Sequence, residues 1–250
     1  MRVLITGAAS RLGQAIAARL RERHQLRLLD TLAIDPGANA TAVQASLLDP
    51  QAMWQAMRNI DAVIHTGEAP ADLPADPLTA DQVMLDCATR GSHVLCQAAV
   101  EAGIKRLIYG GTLEVFGSYP DDRYISEMWK PLPPPEMRVL SRYLGELTCR
   151  EFARDFLVSV TCLRLGKLVL EEEVTSHPPD LMWLDLRDAA QAFECALQRD
   201  ASQRVWWTQR WDLCHVGAPI PNAKFLFSHA TQLGYKPEHA FAGHWGGGAT

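Results

Sequence analysis

Short apolar runs alternate along the chain with longer stretches in which apolar residues return every three or four positions. "RVLITG" reads as a buried strand and "LGQAIAARLRER" as an amphipathic helix, with Ile16 and Leu20 four apart. "LRLLD" predicts a second strand, "PQAMWQAMRN" a helix, "DAVIHTG" a strand, and "GSHVLCQAAVEAG" a long helix ended by Gly103. "RLIYGGT" is again strand-like, "RVLSRYLGELTCREFARDF" strongly helical, and "VSVTCLRLG" strand-like. Strands alternating with helices of this length predict βαβ units. The expected fold class is therefore α/β: a doubly wound parallel Rossmann-type sheet with helices on both faces.

After Gly166 the alternation weakens. "EEEVTSHPPD" reads as a loop, "DLRDAAQAFECALQ" as a helix, "RVWWTQ" as a strand and "AKFLFSHATQLGY" as a last helix before Gly234. The tail "GHWGGGAT" is too rich in glycine to order itself. The pattern divides into a dinucleotide-binding core, residues 1–166, and a small cap, residues 167–250, packed on the carboxyl edge of the sheet as one compact unit. There is no internal repeat.

Composition narrows the function classes. Of 250 residues, 48% are hydrophobic and 21% charged, as in ordinary globular proteins. A net charge of -5 gives no basic footprint, so nucleic acid is not an expected partner. No apolar run approaches the roughly 18 residues of a membrane span, and "MRVLITG" starts a strand rather than a signal peptide. The six cysteines form no CxxC pair, which points to reduced thiols in a cytoplasmic protein and to no metal site. His65 and His93 lack partners at metal-ligand spacing and read as structural. Trp206, Trp207 and Trp211 read as core packing, with a cap wall or dimer contact as the alternative.

Candidate chemistry starts at "ITGAASRLGQ", which joins the first strand to the first helix. Gly7 allows a tight turn, Gly13 close helix–strand packing, and the helix N-terminus offers N–H groups to a pyrophosphate. Ser10 replaces the middle glycine of a G-x-x-G-x-x-G pattern. Asp30, 17 residues beyond Gly13, ends the second strand, where a carboxylate can accept the adenosine ribose hydroxyls and repel a 2′-phosphate. NAD is thus expected over NADP, with Arg11 as the residue that could offer a phosphate a counter-charge. A solvated strand-end acid is the plain alternative for Asp30.

With these motifs in place, the sequence resembles the extended short-chain dehydrogenase/reductase superfamily of the NAD-dependent epimerase/dehydratase type, and within it uronate dehydrogenases. "TGAASRLG" resembles the family's cofactor loop, which implies roles for Gly7, Ser10, Arg11, Leu12 and Gly13. "ASLLDPQAM" resembles the adenine-binding segment, with Ser46 and Leu47 beside the base. "DAVIHTGE" implies Thr66 and Gly67 along the cofactor, and "GGTLEVFGSYP" places Thr112 at the catalytic serine or threonine. "MWLDLRDAAQA", with Asp188, and "LGYKPE" resemble later signatures. The resemblance also implies a homodimer through "GSHVLCQAAVEAG" and "RVLSRYLGELTCREF", with Cys96 and Tyr143 near the interface.

The departures sit at the chemistry. Against the family's Y-x-x-S-K-x-x-G-E, "RVLSRYLGE" matches at Ser141, Gly145 and Glu146 and sets Arg138 on the tyrosine and Arg142 on the lysine. The asparagine expected three residues before Gly91 is Ala88. No arginine near Pro178 matches the one uronate dehydrogenases use to grip the sugar acid, and Lys167 stands where a small polar residue is usual. A guanidinium stays protonated, so Arg138 is no general base, whereas Arg142 could hold ribose hydroxyls. Tyr143, roughly 140° round the helix from Arg138, reads as packing. Tyr109, Tyr119 and Tyr124 are not selected by spacing. Arg138 and Arg142, four apart, could grip an anion between them if acids such as Glu114 or Glu68 did not neutralise them; a slipped register with both solvated is the alternative. Thr112 either bonds a substrate oxygen or caps the following turn.

Three readings follow. The first is an NAD-dependent oxidoreductase acting on a small polar or sugar-like substrate, an anion among the candidates, with water or Glu114 handling the proton. The second is a catalytically inactive dinucleotide-binding pseudoenzyme with a binding or regulatory role. The third is a sugar isomerase or dehydratase.

Overall fold

The computed structural model describes residues 1–199 and 206–245. Seven parallel strands form the main sheet: β1 (Arg2–Thr6), β2 (Gln25–Asp30), β3 (Ala40–Gln44), β4 (Ala62–His65), β5 (Arg106–Thr112), β6 (Ser159–Leu165) and, after an excursion, β9 (Trp211–Val216). Their order is β3-β2-β1-β4-β5-β6-β9, so the winding reverses between β1 and β4. β7 (Lys167–Val169) and β8 (Trp183–Asp185) pair in a separate two-stranded sheet. The expected doubly wound α/β fold is what the chain adopts.

Successive residues of a strand face opposite sides, and the core divides accordingly. Val3 and Ile5 pack under α1 (Arg11–Leu20) and α6 (Leu186–Gln198), where Leu12, Ile16, Leu20, Phe193 and Leu197 are buried. Leu4 and Val63 face α2 (Pro50–Ala56), α4 (Ser92–Glu101) and α5 (Met137–Asp155) through Met53, Leu95, Cys149 and Phe152. The chain beyond residue 166 therefore serves two structures: α6, β9 and the short helix α8 (Ser228–Gln232) complete the core, while β7, β8 and α9 (Ala242–Trp245) gather around a second apolar cluster that includes Trp183 and Phe241.

Several elements depart from the pattern-based expectation. β3, β7 and β8 were not expected. Nor was α3 (Pro77–Asp86), capped by Asp76 accepting from the Thr79 N–H, with Pro77 at its start. A widened turn, Cys87–Gly91, joins α3 to α4, so helix runs on before the segment expected to be helical. A Cβ on Gly145 of α5 would lie 2.9 Å from the Ala88 carbonyl oxygen and 2.4 Å from Tyr109 Oη. Only glycine lets α5 approach there. In "RVWWTQ", Arg204 and Val205 lie outside the described residues, and the rest enters a helical turn, α7 (Trp207–Arg210); the strand is the next segment. The last helix begins at Ser228 rather than Ala223. Phe225 is spent on a bridge to Ile125, and the buried Lys224 ammonium donates to the Tyr119 carbonyl at 2.6 Å and Asp121 at 2.7 Å. Part of the tail, Ala242–Trp245, is helical; residues 246–250 lie outside the described residues.

The six cysteines are all free thiols. Cys96 faces inward, 3.8 Å from Cys149, because α4 and α5 close on each other. Tyr143, half-buried, packs on the cluster that includes Leu113, Phe116 and Val139. Trp206 is exposed, and Trp211 packs on the core face beneath α5, so these two do not form a cap wall.

The most polar part of the core is the Glu146–Arg164 pair, with both side chains 4% exposed. Arg164 donates through Nε to Oε2 at 2.9 Å and through Nη2 to Oε1 at 2.6 Å, and its guanidinium lies 5.2 Å from the Phe116 ring centre. Removing one partner strands the other charge in apolar surroundings. Glu146→Ala should therefore lose about 3–5 kcal/mol in urea unfolding, and Glu146→Leu combined with Arg164→Met should regain most of it. A loss within about 0.5 kcal/mol, usual for a surface change, would mean the pair is effectively solvated.

Candidate functional site

The reversal of strand order between β1 and β4 opens a crevice at the carboxyl edge of the sheet. Gly7, at φ 71°, turns the chain there; a Cβ on it would sit 2.2 Å from Thr66 Oγ1. Ser10 caps α1, its hydroxyl donating to the Gly7 carbonyl at 2.8 Å and accepting from the Gly13 N–H at 3.0 Å. It holds the loop by side-chain bonds at the position where the pattern expects glycine. Helix geometry leaves the N–H groups of Arg11 and Leu12 without intrahelical acceptors. Gly13 packs so closely that a Cβ would be 2.3 Å from the Gly7 carbonyl. Asp30 accepts from the Ala9 N–H at 2.9 Å, tying the end of β2 to the loop.

One cleft gathers Gly7, Ser10, Asp30, Ser46, Leu47 and Thr66, six of the residues singled out from sequence. Gly67, at φ 68°, lies against the Gly110 carbonyl, which a Cβ would approach to 2.1 Å. His65, Glu68, the Ala69–Ala71 turn and Cys87 also line the cleft; of these, sequence had raised only His65, as structural, and Glu68, as a neutralising acid. His65 is held between Thr6 Oγ1 at 2.9 Å and Ser92 Oγ at 3.2 Å. Burial, followed by the nearby Arg142 charge, lowers its pKa to about 4. Two buried atoms here lack partners, Thr66 Oγ1 and Glu68 Oε2.

Arg11 does not turn toward this cleft. Glu173, in the turn after β7, accepts both its bonds, at 2.7 and 2.8 Å. That pair bridges the start of α1 to the cap. Near the start of α6, Asp188 accepts from the N–H groups of Glu238 and His239, fixing the C-terminal segment. Burial would raise the pKa of neighbouring Asp185, but bonds from Arg187 and from the Glu171 N–H bring it below the ordinary value.

The residues placed on the chemistry do not converge. Arg138 is exposed, and Arg142 turns back onto β5, donating to the carbonyls of Gly110 at 3.1 Å and Gly111 at 2.9 Å. The two guanidiniums form no anion grip. Thr112 is buried and caps the turn Leu113–Phe116, accepting from the Glu114 N–H and donating to Glu114 Oε2, each at 3.2 Å. No tyrosine substitutes. Tyr109 donates to the Arg142 carbonyl at 2.8 Å, Tyr119 to that of Lys130 at 2.9 Å, Tyr235 to that of Gly217 at 2.9 Å, Tyr143 packs inward, and Tyr124 is exposed.

A second cleft, of about 510 Å³, opens beyond Glu114 at the same edge of the sheet. Lys167, Asp180, Glu136, Asp121, Lys224 and Met182 line it. Lys167 is 2.6 Å from Asp180. Of these residues only Glu114 and Lys167 had drawn attention in the sequence. Lys224 sits in an apolar run and Asp180 in a proline-flanked loop, with no spacing to mark them. Among the described residues no group of three His, Cys, Asp or Glu side chains could hold a metal, and no helix is long and apolar enough to cross a membrane.

Comparison with known proteins agrees with this geometry. The chain is 28% identical over 227 residues to an NAD-dependent glucose-6-phosphate dehydrogenase of Haloferax volcanii, covering 81% of this chain and 82% of that one. It is 25% identical over 224 residues to a uronate dehydrogenase of Pseudomonas syringae, covering 84% of this chain and 78% of that one. A crystal structure of a mutant uronate dehydrogenase from Agrobacterium tumefaciens complexed with NAD superposes with a TM-score of 0.77 at 22% identity, over 96% of this chain and 85% of that one. The family model described as NAD dependent epimerase/dehydratase matches residues 3–217, from the first strand through the last strand of the sheet. A glycine-cornered crevice at the strand reversal and a match along nearly the whole sheet agree: the chain belongs to the NAD dependent epimerase/dehydratase family.

Proposed function

We propose that the chain binds NAD along the first cleft and presents it to a small polyhydroxylated, sugar-like substrate in the second, as an oxidoreductase with a non-standard acid–base set. The observation that carries the reading is the cradle at Gly7: a turn with no room for a Cβ, beside a buried Thr66 hydroxyl that has no protein partner. A ligand oxygen would satisfy that hydroxyl, and the N–H groups of Arg11 and Leu12 suit a pyrophosphate. Asp30 would take the adenosine ribose hydroxyls, with Ser46 and Leu47 beside the base and Gly67 further along. A bound nicotinamide supplies hydride exchange with a carbon bearing a hydroxyl. The protein's part is to bind, to orient and to exclude water.

Proton handling falls to groups other than a tyrosine. Glu114 borders the second cleft and is steadied by Thr112. Arg142 holds the carboxyl end of β5 and places a positive charge nearby, so its proposed role is structural and electrostatic. Arg138, being exposed, has no assigned step. The engagement or outward placement of every tyrosine favours a second reading, an inactive dinucleotide-binding pseudoenzyme. A sugar isomerase or dehydratase has no separate observation in its favour.

The test is a titration with NADH and NADPH followed by reduced-nicotinamide fluorescence. NADH should saturate, and NADPH should bind at least about tenfold more weakly, because Asp30 would face the 2′-phosphate. Asp30→Ala should narrow that ratio. Absence of binding by both dinucleotides would remove the cofactor reading and leave the family's fold without its cofactor.

A further inference from the structure

We infer that the second cleft takes a polyhydroxylated ligand carrying no negative charge, in contrast to the sugar acids and sugar phosphate named for the relatives. The inference rests on reading that cleft as the substrate site and adds the substrate class.

The cavity, about 510 Å³, is large enough for a hexose and lies at the carboxyl edge of a parallel sheet, where ligands of such folds bind. Its lining holds four carboxylates, Glu114, Asp121, Glu136 and Asp180, against two ammonium groups, Lys167 and Lys224. Both cations already have a carboxylate partner within the chain. Lys167 is closed by Asp180 at 2.6 Å, and Lys224, itself 1% exposed, by Asp121 at 2.7 Å and a backbone carbonyl at 2.6 Å. Neither Glu114 nor Glu136 is in an ion pair, so two negative charges remain.

The guanidiniums that could reverse this balance are turned elsewhere. Arg142 is spent on two carbonyls of β5, and Arg138 does not line the cleft. An incoming carboxylate or phosphate would meet like charge, and the Lys167 ammonium, already 2.6 Å from Asp180, offers it no unopposed counter-charge. Hydroxyl groups, by contrast, are donors that free carboxylate oxygens accept without rearrangement, and an ammonium gains charge assistance as well.

Ligand-observed NMR titrations of the full chain with glucosamine, glucose, glucuronate and glucose 6-phosphate, with and without NADH, test this. Glucosamine should bind tightest, then glucose, with both anionic probes at least about tenfold weaker than glucosamine. Asp180→Asn keeps the Oδ1 that accepts from the Met182 N–H at 2.8 Å but frees Lys167, so it should raise glucuronate affinity relative to glucose several-fold. Either anionic probe binding as tightly as glucose would overturn the inference, as would a ratio unmoved by Asp180→Asn. Failure of all four probes to bind would overturn it too, by removing the cleft as a sugar site. NADH binding in the same samples separates these failures from failure of the cofactor site.

Discussion

Lowering the pH from 6.5 to 4 should cost the protein several kcal/mol of stability, before any carboxylate pair is considered. His65 and His215 are 3% and 0% exposed. Burial depresses both, His65 to about 4 and His215 to about 3, with the positive charges of Arg142 and Arg164 adding to it respectively. The sign follows from proton uptake. An unfolded histidine begins to bind its proton near pH 6.5, whereas the folded groups do not until much lower. In that window the unfolded state holds more protons, so each histidine removes about 1.4 kcal/mol per pH unit as pH falls. His65 sits between two hydroxyls. His215 lies between the rings of Phe116 and Phe225, at 5.3 and 5.9 Å, with neither ring nitrogen bonded. Urea midpoints between pH 7 and 4 measure the slope. His215→Phe, which suits the aromatic cage, should flatten its share, and a midpoint constant from 6.5 to 4.5 would show that water reaches both sites.

Arg138→Tyr with Arg142→Lys, which would install the tyrosine and lysine that the resemblance implies at these positions, should raise dehydrogenase turnover by roughly 10²–10⁴, the usual worth of positioned acid–base help. Position 138 is the second residue of α5 and solvent-exposed, so the ring enters without displacing core. A lysine at 142 starts from a side chain now tied to the Gly110 and Gly111 carbonyls, so some loss of stability should accompany the gain. Turnover of hexoses, amino sugars and hexuronates, measured beside NADH affinity, reads the outcome. A variant that binds NADH but gains nothing would mean that the pocket, as well as the relay, has moved away from this chemistry.

The alternation of strand and helix patterns carried the fold, because period-two and period-3.6 burial are local properties of the chain. Gly7 and Ser10 could be placed for a similar reason, since a strand, a tight turn and a helix start lie within a few residues, and Asp30 because it ends the next strand; Thr66 came only from the resemblance. α3 escaped because only Met84 of its ten residues is buried, so it shows no apolar stripe. β9 escaped because the segment before it was read as the strand, and α8 starts late because Lys224 and Phe225 are drawn into contacts with residues about 100 positions earlier. The second cleft was legible only in Glu114 and Lys167, not as a cleft. Its lining comes from the turn after β5, the start of α5, β7, a proline-flanked loop and Lys224, and only folding brings these together.

By itself, the sequence determined the parallel sheet, the glycine-cornered loop and the acid that ends the second strand, since each depends on neighbours along the chain. The tertiary structure alone decided where charges point. Arg138 and Arg142 share a helix face by spacing, yet one faces solvent while the other bonds to β5, and Arg11 is held by a glutamate 162 positions away. A long charged side chain settles where desolvation costs least and a partner is nearest. Those partners come from distant parts of the chain.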